Sequence, residues 1–247
     1  MAAPAGKTVL LIGASRGLGY ALAAEYLARG WQVTATVRGA GRAGLHDLAR
    51  SSGGRLAVET VDITVPEQVA ALHERLAQVT FDLLFVNAGV TNGPGETVAD
   101  VSTDTFVRLM VTNALSPMRV VETLQDLVAP NGTIAVMSSG QGSIANNDKG
   151  GFEVYRASKS ALNQLMRCFA ARHAGDPRTL LLMAPGRVQT DLGGPAAPLT
   201  TGQSIPGVVD TIDAQAARGG LHTWTTGVRP SAGSAGGPPL KAWRTSP

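Results

Sequence analysis

Apolar runs of five to seven residues alternate with segments of helical period from residue 8 to about residue 185, and few architectures accept that pattern. Residues 8–12 (TVLLI) read as a strand buried on both faces, and residues 17–29 follow as a helix with apolar positions at Leu18, Ala21, Leu22 and Leu27. Further strands are expected at 31–37, 56–61, 81–86, 132–138 and 178–183, and further helices at 66 to about 79, 104–128 and 155 to about 172. Pro66 suits the first helical position, and Thr64 is the expected cap. Beyond Pro185 the signal weakens, leaving a helix near 203–217 and a last strand near 221–226. Strand alternating with helix at this spacing means right-handed crossovers and a parallel sheet covered on both faces. The expected fold is α/β: a Rossmann-like, doubly wound parallel sheet of about seven strands.

The 247 residues suit one domain spanning 1–247. Within it, residues 186–206 are rich in Gly, Pro and Thr and read as a substrate loop; residues 228–247 read as an irregular tail. No internal repeat is visible. With 44% apolar residues but only 4% aromatic, Ala, Val and Leu must fill the core, and disorder of the whole chain is excluded. No run of about eighteen uncharged apolar residues exists, so no membrane span is expected. The first residues run straight into a strand without the pattern of a signal peptide. The single cysteine, Cys168, cannot form an internal disulfide, which points to a cytoplasmic setting, and it is expected to be a small buried hydrophobe. A net charge of +3 without a basic and aromatic run gives no footprint for nucleic acid. His46, His73, His173 and His222 lack metal-ligand spacing, so no metal is expected.

Two motifs carry chemistry. Gly13-Ala14-Ser15-Arg16-Gly17-Leu18-Gly19 stands directly after the first strand and opens the first helix. Glycines there let the backbone approach a pyrophosphate, and the helix N-terminus offers unpaired N–H groups and the positive end of a dipole. The spacing is GxxxGxG rather than GxGxxG, and a plain tight turn would use glycine too. In Tyr155-Arg156-Ala157-Ser158-Lys159, tyrosine and lysine four apart share one helix face. An ammonium beside a phenol stabilises the phenolate and is expected to lower the tyrosine pKa, which makes the tyrosine a usable proton donor or acceptor. An ordinary amphipathic helix would produce the same pair by chance.

The order of the motifs is more telling than either alone. The glycine turn, Asn87-Ala88-Gly89, Asn113, Ser138-Ser139, the Tyr155 and Lys159 pair and Pro185-Gly186 follow one another along nearly the whole chain. In this it resembles the short-chain dehydrogenase/reductase superfamily. The stretches from Ser138 to Ile144, from Tyr155 to Asn163 and from Pro185 to Gly194 resemble more narrowly the sniffer-type carbonyl reductases and the C-factor proteins. The family's usual Thr before the first glycine is Ile12 here, and the tail after Val228 has no family counterpart.

The resemblance implies Tyr155 as general acid in carbonyl reduction, with Lys159 lowering its pKa and holding the nicotinamide ribose. Ser139, three residues before Gly142, would hydrogen-bond the substrate oxygen, Ser138 would be structural, and Asn113 would anchor a proton-relaying water. Cofactor contacts would fall on Gly13, Ser15, Arg16, Gly17, Leu18, Gly19, Asp62, Ile63, Asn87, Ala88, Gly89, Tyr155, Lys159, Pro185, Gly186, Val188 and Thr190. Thr190 would sit near the nicotinamide amide and Asp62 near the adenine, although Asp62 also suits a turn leading into a helix. Hydride arriving at a carbonyl carbon builds charge on oxygen, which needs donors placed in advance.

The second strand ends Ala35-Thr36-Val37-Arg38 without the acid that would accept from a ribose 2′-OH. Arg38, with Arg16 beside it, would instead pair with a 2′-phosphate, so NADPH/NADP+ is the expected cofactor. Gln141, Phe152 and the loop 192–198 are where substrate contacts would fall. The expected partner is a small carbonyl or alcohol substrate; the resemblance also implies a homodimer or homotetramer through the helices of Asn113 and Tyr155, although monomers occur in the family. The expected function is NADPH-dependent reduction of an aldehyde or ketone. The alternative is an NADP(H)-binding regulatory or signalling protein of the C-factor type. A sugar-nucleotide epimerase or dehydratase would need a larger C-terminal substrate region.

Overall fold

The computed structural model describes residues 6–39 and 43–225; the tail expected at 228–247 lies outside them. Seven strands, β1 (Thr8–Ile12), β2 (Gln32–Val37), β3 (Leu56–Thr60), β4 (Phe81–Val86), β5 (Val128–Met137), β6 (Thr179–Ala184) and β7 (Gly220–Thr225), form one sheet in the order β3-β2-β1-β4-β5-β6-β7. Every pairing is parallel, with Val9 opposite Val33 on one side of β1 and Leu83 on the other. This is the doubly wound Rossmann-like architecture. The chain winds outward to β3, then returns to place β4 beside β1, and that reversal opens a crevice at the carboxyl ends of the two strands.

The sheet divides two apolar layers by strict alternation. Leu10, Ile12, Leu84, Val86, Ile134 and Val136 face α3 (Pro66–Leu76), α5 (Ser116–Leu124) and α6 (Glu153–Arg172), meeting Leu72, Val121, Leu162 and Phe169. Val9, Leu11, Leu83, Phe85, Ala135 and Met137 face α1 (Gly17–Ala28), α2 (Ala43–Ser51) and α7 (Thr201–Gln215), meeting Leu22, Tyr26, Leu45, Val208 and Val209. Each such fully buried Leu or Val contributes about 1.5–3 kcal/mol, so the central strands hold the frame on which the site is built.

Five local features differ from the expectations. The helix expected over 104–128 is broken into α4 (Thr103–Met110), a π-turn (Val111–Leu115) and α5. Pro117 has no N–H to donate to the carbonyl of Asn113, four residues earlier, and its ring crowds that carbonyl, so the helix widens there. Thr64 does not cap α3. Its N–H and hydroxyl both donate to Asp62 Oδ1, at 2.9 and 2.6 Å, and Val65 holds the cap position. Cys168 is exposed rather than buried, because the inward stripe of α6 runs through Tyr155, Leu162, Met166 and Phe169 and misses position 168. Helix α2 had no counterpart in the sequence expectations. The loop after β6 ends earlier than residue 206, where Thr200 and Gln203 form a capping box that starts α7. Among the described residues, no helix is long and apolar enough to cross a membrane, and no three His, Cys, Asp or Glu side chains group as metal ligands.

Candidate active site

A cleft of about 810 Å³ lies over the carboxyl ends of β1, β4, β5 and β6. One end is the turn from Gly13 to Gly19. Gly13 has φ of +88°, its N–H donates to Thr36 Oγ1 at 2.9 Å, and an added Cβ would press on the Ala88 backbone at 2.9 Å. Gly19 is tighter: a Cβ would come within 2.0 Å of the Gly13 carbonyl oxygen. Asn87 Nδ2 donates to that same oxygen at 2.8 Å and ties the turn to the end of β4. Helix α1 therefore starts at the cleft with no capping side chain and no acidic residue in its first turn. Its first N–H groups are left for an anion.

Ser15, Arg16, Gly17, Leu18, Arg38, Asp62, Ile63, Asn87, Ala88, Gly89, Pro185, Gly186, Val188 and Thr190 all line this cleft with Gly13, Tyr155 and Lys159. Gly19 and Asn113 stand behind the lining. Arg38 is exposed at the end of β2, on the cleft wall shared with Asp62. Arg16 reaches across to form an ion pair with Asp191 of the loop after β6, a contact with no sequence signal because 175 residues separate the two. Thr190 accepts from the Gly193 N–H at 3.0 Å, and its methyl lies against Gly17.

At the other end, α6 presents Tyr155 and Lys159. Ser139, two residues past the end of β5, leads a 3₁₀ turn (Gly140–Gly142), its Oγ accepting from the Gln141 N–H at 3.1 Å. Gly142 allows that turn to rest on α6, since a Cβ there would meet the Lys159 backbone at 3.0 Å. Ser160 Oγ and Asn163 Nδ2 donate to the Gly142 carbonyl at 3.0 and 3.2 Å. Ser138 Oγ donates to Asn163 Oδ1 at 2.6 Å, whereas the Ser139 hydroxyl meets the Tyr155 phenol. Neither bracing residue, Ser160 nor Asn163, was singled out from the sequence.

Asn113 sits in the π-turn with no exposed surface. Its Nδ2 donates to the Val90 carbonyl at 2.8 Å and to Ser158 Oγ at 2.9 Å, and its Oδ1 accepts from the Val90 N–H at 2.8 Å. Ser158 Oγ in turn donates to the Tyr155 carbonyl at 2.7 Å. The amide thus fastens the loop after β4 to the helix that carries the tyrosine.

Electrostatics differ from the expected pair. Burial pushes the Tyr155 phenol above its ordinary value of 10, and the hydrogen bond from Ser139 only partly opposes that. Lys159 does not offset it: its Nζ donates to the Met137 carbonyl at 2.9 Å and lies 6.0 Å from the centre of the tyrosine ring. Burial lowers the Lys159 ammonium from 10.5 to about 8. The phenol holds its proton at neutral pH, and the lysine titrates close to it.

The profile of the family described as short chain dehydrogenase matches residues 7–198, which takes in the glycine turn, the cleft and α6. The chain belongs to the short-chain dehydrogenase family. Within the family, it is similar to a crystallised Burkholderia multivorans protein assigned as a short-chain dehydrogenase/reductase, with NADP bound. That likeness is 58% identity over 91% of this chain and 98% of the other, with a TM-score of 0.88. A carbonyl reductase of Pseudomonas aeruginosa PAO1 in complex with NADP is 35% identical over 91% of this chain and 98% of its own, with a TM-score of 0.83. The 1-hydroxy-2-glutathionyl-2-methyl-3-butene dehydrogenase of Rhodococcus sp. (strain AD45) is 32% identical over 214 residues, 84% of this chain and 91% of the relative.

Proposed function

We propose that this short-chain dehydrogenase reduces an aldehyde or ketone with NADPH. The observation that carries the reading is the buried Tyr155 phenol, still protonated at neutral pH, bonded to Ser139 at one end of a cleft whose other end is a glycine cradle. The residues fit a phosphorylated dinucleotide: without a Cβ at Gly13 or Gly19 the turn closes against Ala88 and Asn87 and leaves the first N–H groups of α1 for a pyrophosphate. Arg38, exposed on the cleft wall at the end of β2, would meet a 2′-phosphate, joined by Arg16 once it leaves Asp191. The solved relatives with NADP bound support the same choice. Bound there, NADPH supplies the hydride.

The protein's own part is to hold and deliver a proton. Ser139 and Tyr155 Oη donate to the substrate oxygen as negative charge develops there, and Tyr155 gives up its proton to it. Lys159 would hold the ribose through its ammonium, a charge-assisted bond that weakens when the lysine loses its proton. Asn113 fixes α6 against the loop after β4, so the tyrosine does not drift. The substrate end is walled by Gln141, Phe152, Leu192 and Pro198. The alternative, a regulatory protein of the C-factor type, needs cofactor binding without turnover. A screen of NADPH oxidation against aldehydes and ketones separates them: turnover supports the reductase, and saturable NADPH binding with no turnover of any carbonyl supports the regulator.

Two expected results follow from the same geometry. Lys159 is charged below about pH 8 and neutral above it. The rate of reduction should therefore fall as pH rises through about 8, and Lys159→Met should abolish that limb along with most of the activity; a flat profile in the unaltered protein to pH 9.5, roughly a unit and a half above that point, would exclude the role. Arg38→Ala should weaken NADPH by about ten- to a hundredfold, the worth of a charge-assisted hydrogen bond, and leave NADH nearly unchanged. Titration of both cofactors by nicotinamide fluorescence reads the difference, and equal losses for the two would contradict the assignment.

A further inference from the structure

We propose that Phe152 is a specificity-determining residue, an aromatic wall beside Tyr155 that favours aldehydes and ketones whose carbonyl is borne on a planar aromatic ring. This rests on the reductase reading and names the substrate class of the same site.

Phe152 breaks two local rules at once. Its φ is +51°, a left-handed conformation that a bulky side chain rarely adopts and that persists only when the surroundings impose it. It also occupies the N-cap of α6, where Ser, Thr, Asp or Asn would satisfy the first turn, and it supplies no side-chain cap. The surroundings impose the conformation through several bonds. Gly150 and Gly151 precede it at φ of +63° and +70°, and the Phe152 N–H donates to the Pro94 carbonyl at 3.2 Å. Arg156, one turn into the helix, straps the two glycines: Nε donates to the Gly151 carbonyl at 2.8 Å and Nη2 to the Gly150 carbonyl at 3.0 Å.

What the strain secures is the place of the ring. The Phe152 and Tyr155 rings lie 6.5 Å apart at 67°, an edge-on arrangement. Phe152 packs against the small cluster of Leu109, Val154 and Tyr155, while the residue remains partly exposed and lines the cleft. A flat ring attached to a carbonyl held at Tyr155 Oη can lie against Phe152, whereas a puckered saturated ring of equal carbon count cannot make the same contact. Arg156 is a positioning residue, acting through the Phe152 backbone.

The test compares benzaldehyde with cyclohexanecarbaldehyde at saturating NADPH. Phe152→Leu, which keeps an apolar side chain but no ring, should lower the ratio of their kcat/KM values by about three- to tenfold, chiefly through a higher KM for benzaldehyde. Phe152→Tyr should keep the ratio. Arg156→Met should shift it in the same direction as Phe152→Leu, and Arg156→Lys should recover part of the shift. A merely structural role predicts equal losses for both aldehydes in Phe152→Leu, and that result, or an unchanged ratio, would overturn the proposal while leaving the reductase reading intact. If neither aldehyde consumes NADPH with the unaltered protein while another carbonyl of the screen does, the wall fails and the reductase reading stands; if no carbonyl of the screen does, both fail.

Discussion

Tyr155→Phe should lower turnover by at least about a hundredfold with any carbonyl the protein reduces, while NADPH affinity changes little. The substitution removes one hydroxyl and nothing else. The ring stays in its pocket against Leu109 and Val154, so the fold and the cleft should persist. The loss falls on the transition state alone, since no other described group combines a buried phenol's acidity with a hydrogen bond to Ser139. The effect should appear in kcat rather than KM. Steady-state rates paired with a fluorescence titration of NADPH check it; a variant that keeps most of its turnover would show that another group delivers the proton.

Gly19→Ala should be the most damaging change at the cofactor end. A methyl there would sit 2.0 Å from the Gly13 oxygen and 2.7 Å from Asn87 Nδ2, and both neighbours are fixed: one is backbone, the other its hydrogen-bond partner. Neither can swing aside as the end of a flexible side chain would. Overpacking of this kind costs about 1–3 kcal/mol, and here it must displace the turn that faces the pyrophosphate. NADPH affinity should fall by roughly ten- to a hundredfold, with a lower Tm. Gly95→Ala, where nothing lies within 4 Å of the added carbon, is the matched control and should bind normally. Equal affinities for the two variants would contradict the cradle.

The sheet was legible because its central strands are buried on both faces and so appear as uninterrupted apolar runs, such as Val9 to Ile12 and Leu83 to Val86. The site was legible where a residue type is itself the chemistry, as with Tyr155, Lys159 and Ser139. What escaped depends on contacts between distant segments. The break at Asn113 comes from Pro117, whose effect emerges only once the helix is seen to run through both residues. Helix α2 did carry a signal, Leu45, Leu48 and Ala49 at helical spacing, in a segment too short to stand out. The pairing of Arg16 with Asp191 and the upward shift of Tyr155 follow from burial and loop placement, which no local pattern encodes. Cys168 looked buried because free cysteine usually is, yet it lies off the inward stripe of α6.

The most direct test of the account follows the hydride itself. The protein is supplied with NADPH deuterated at the transferable C4 position and with a carbonyl substrate drawn from the screen, and the alcohol is examined by mass spectrometry and NMR. The account predicts one alcohol formed per NADPH consumed, with deuterium on the carbinol carbon and the hydroxyl proton drawn from solvent. NADPH consumed without deuterium in the alcohol, or bound without consumption in the presence of every aldehyde and ketone tried, would contradict it.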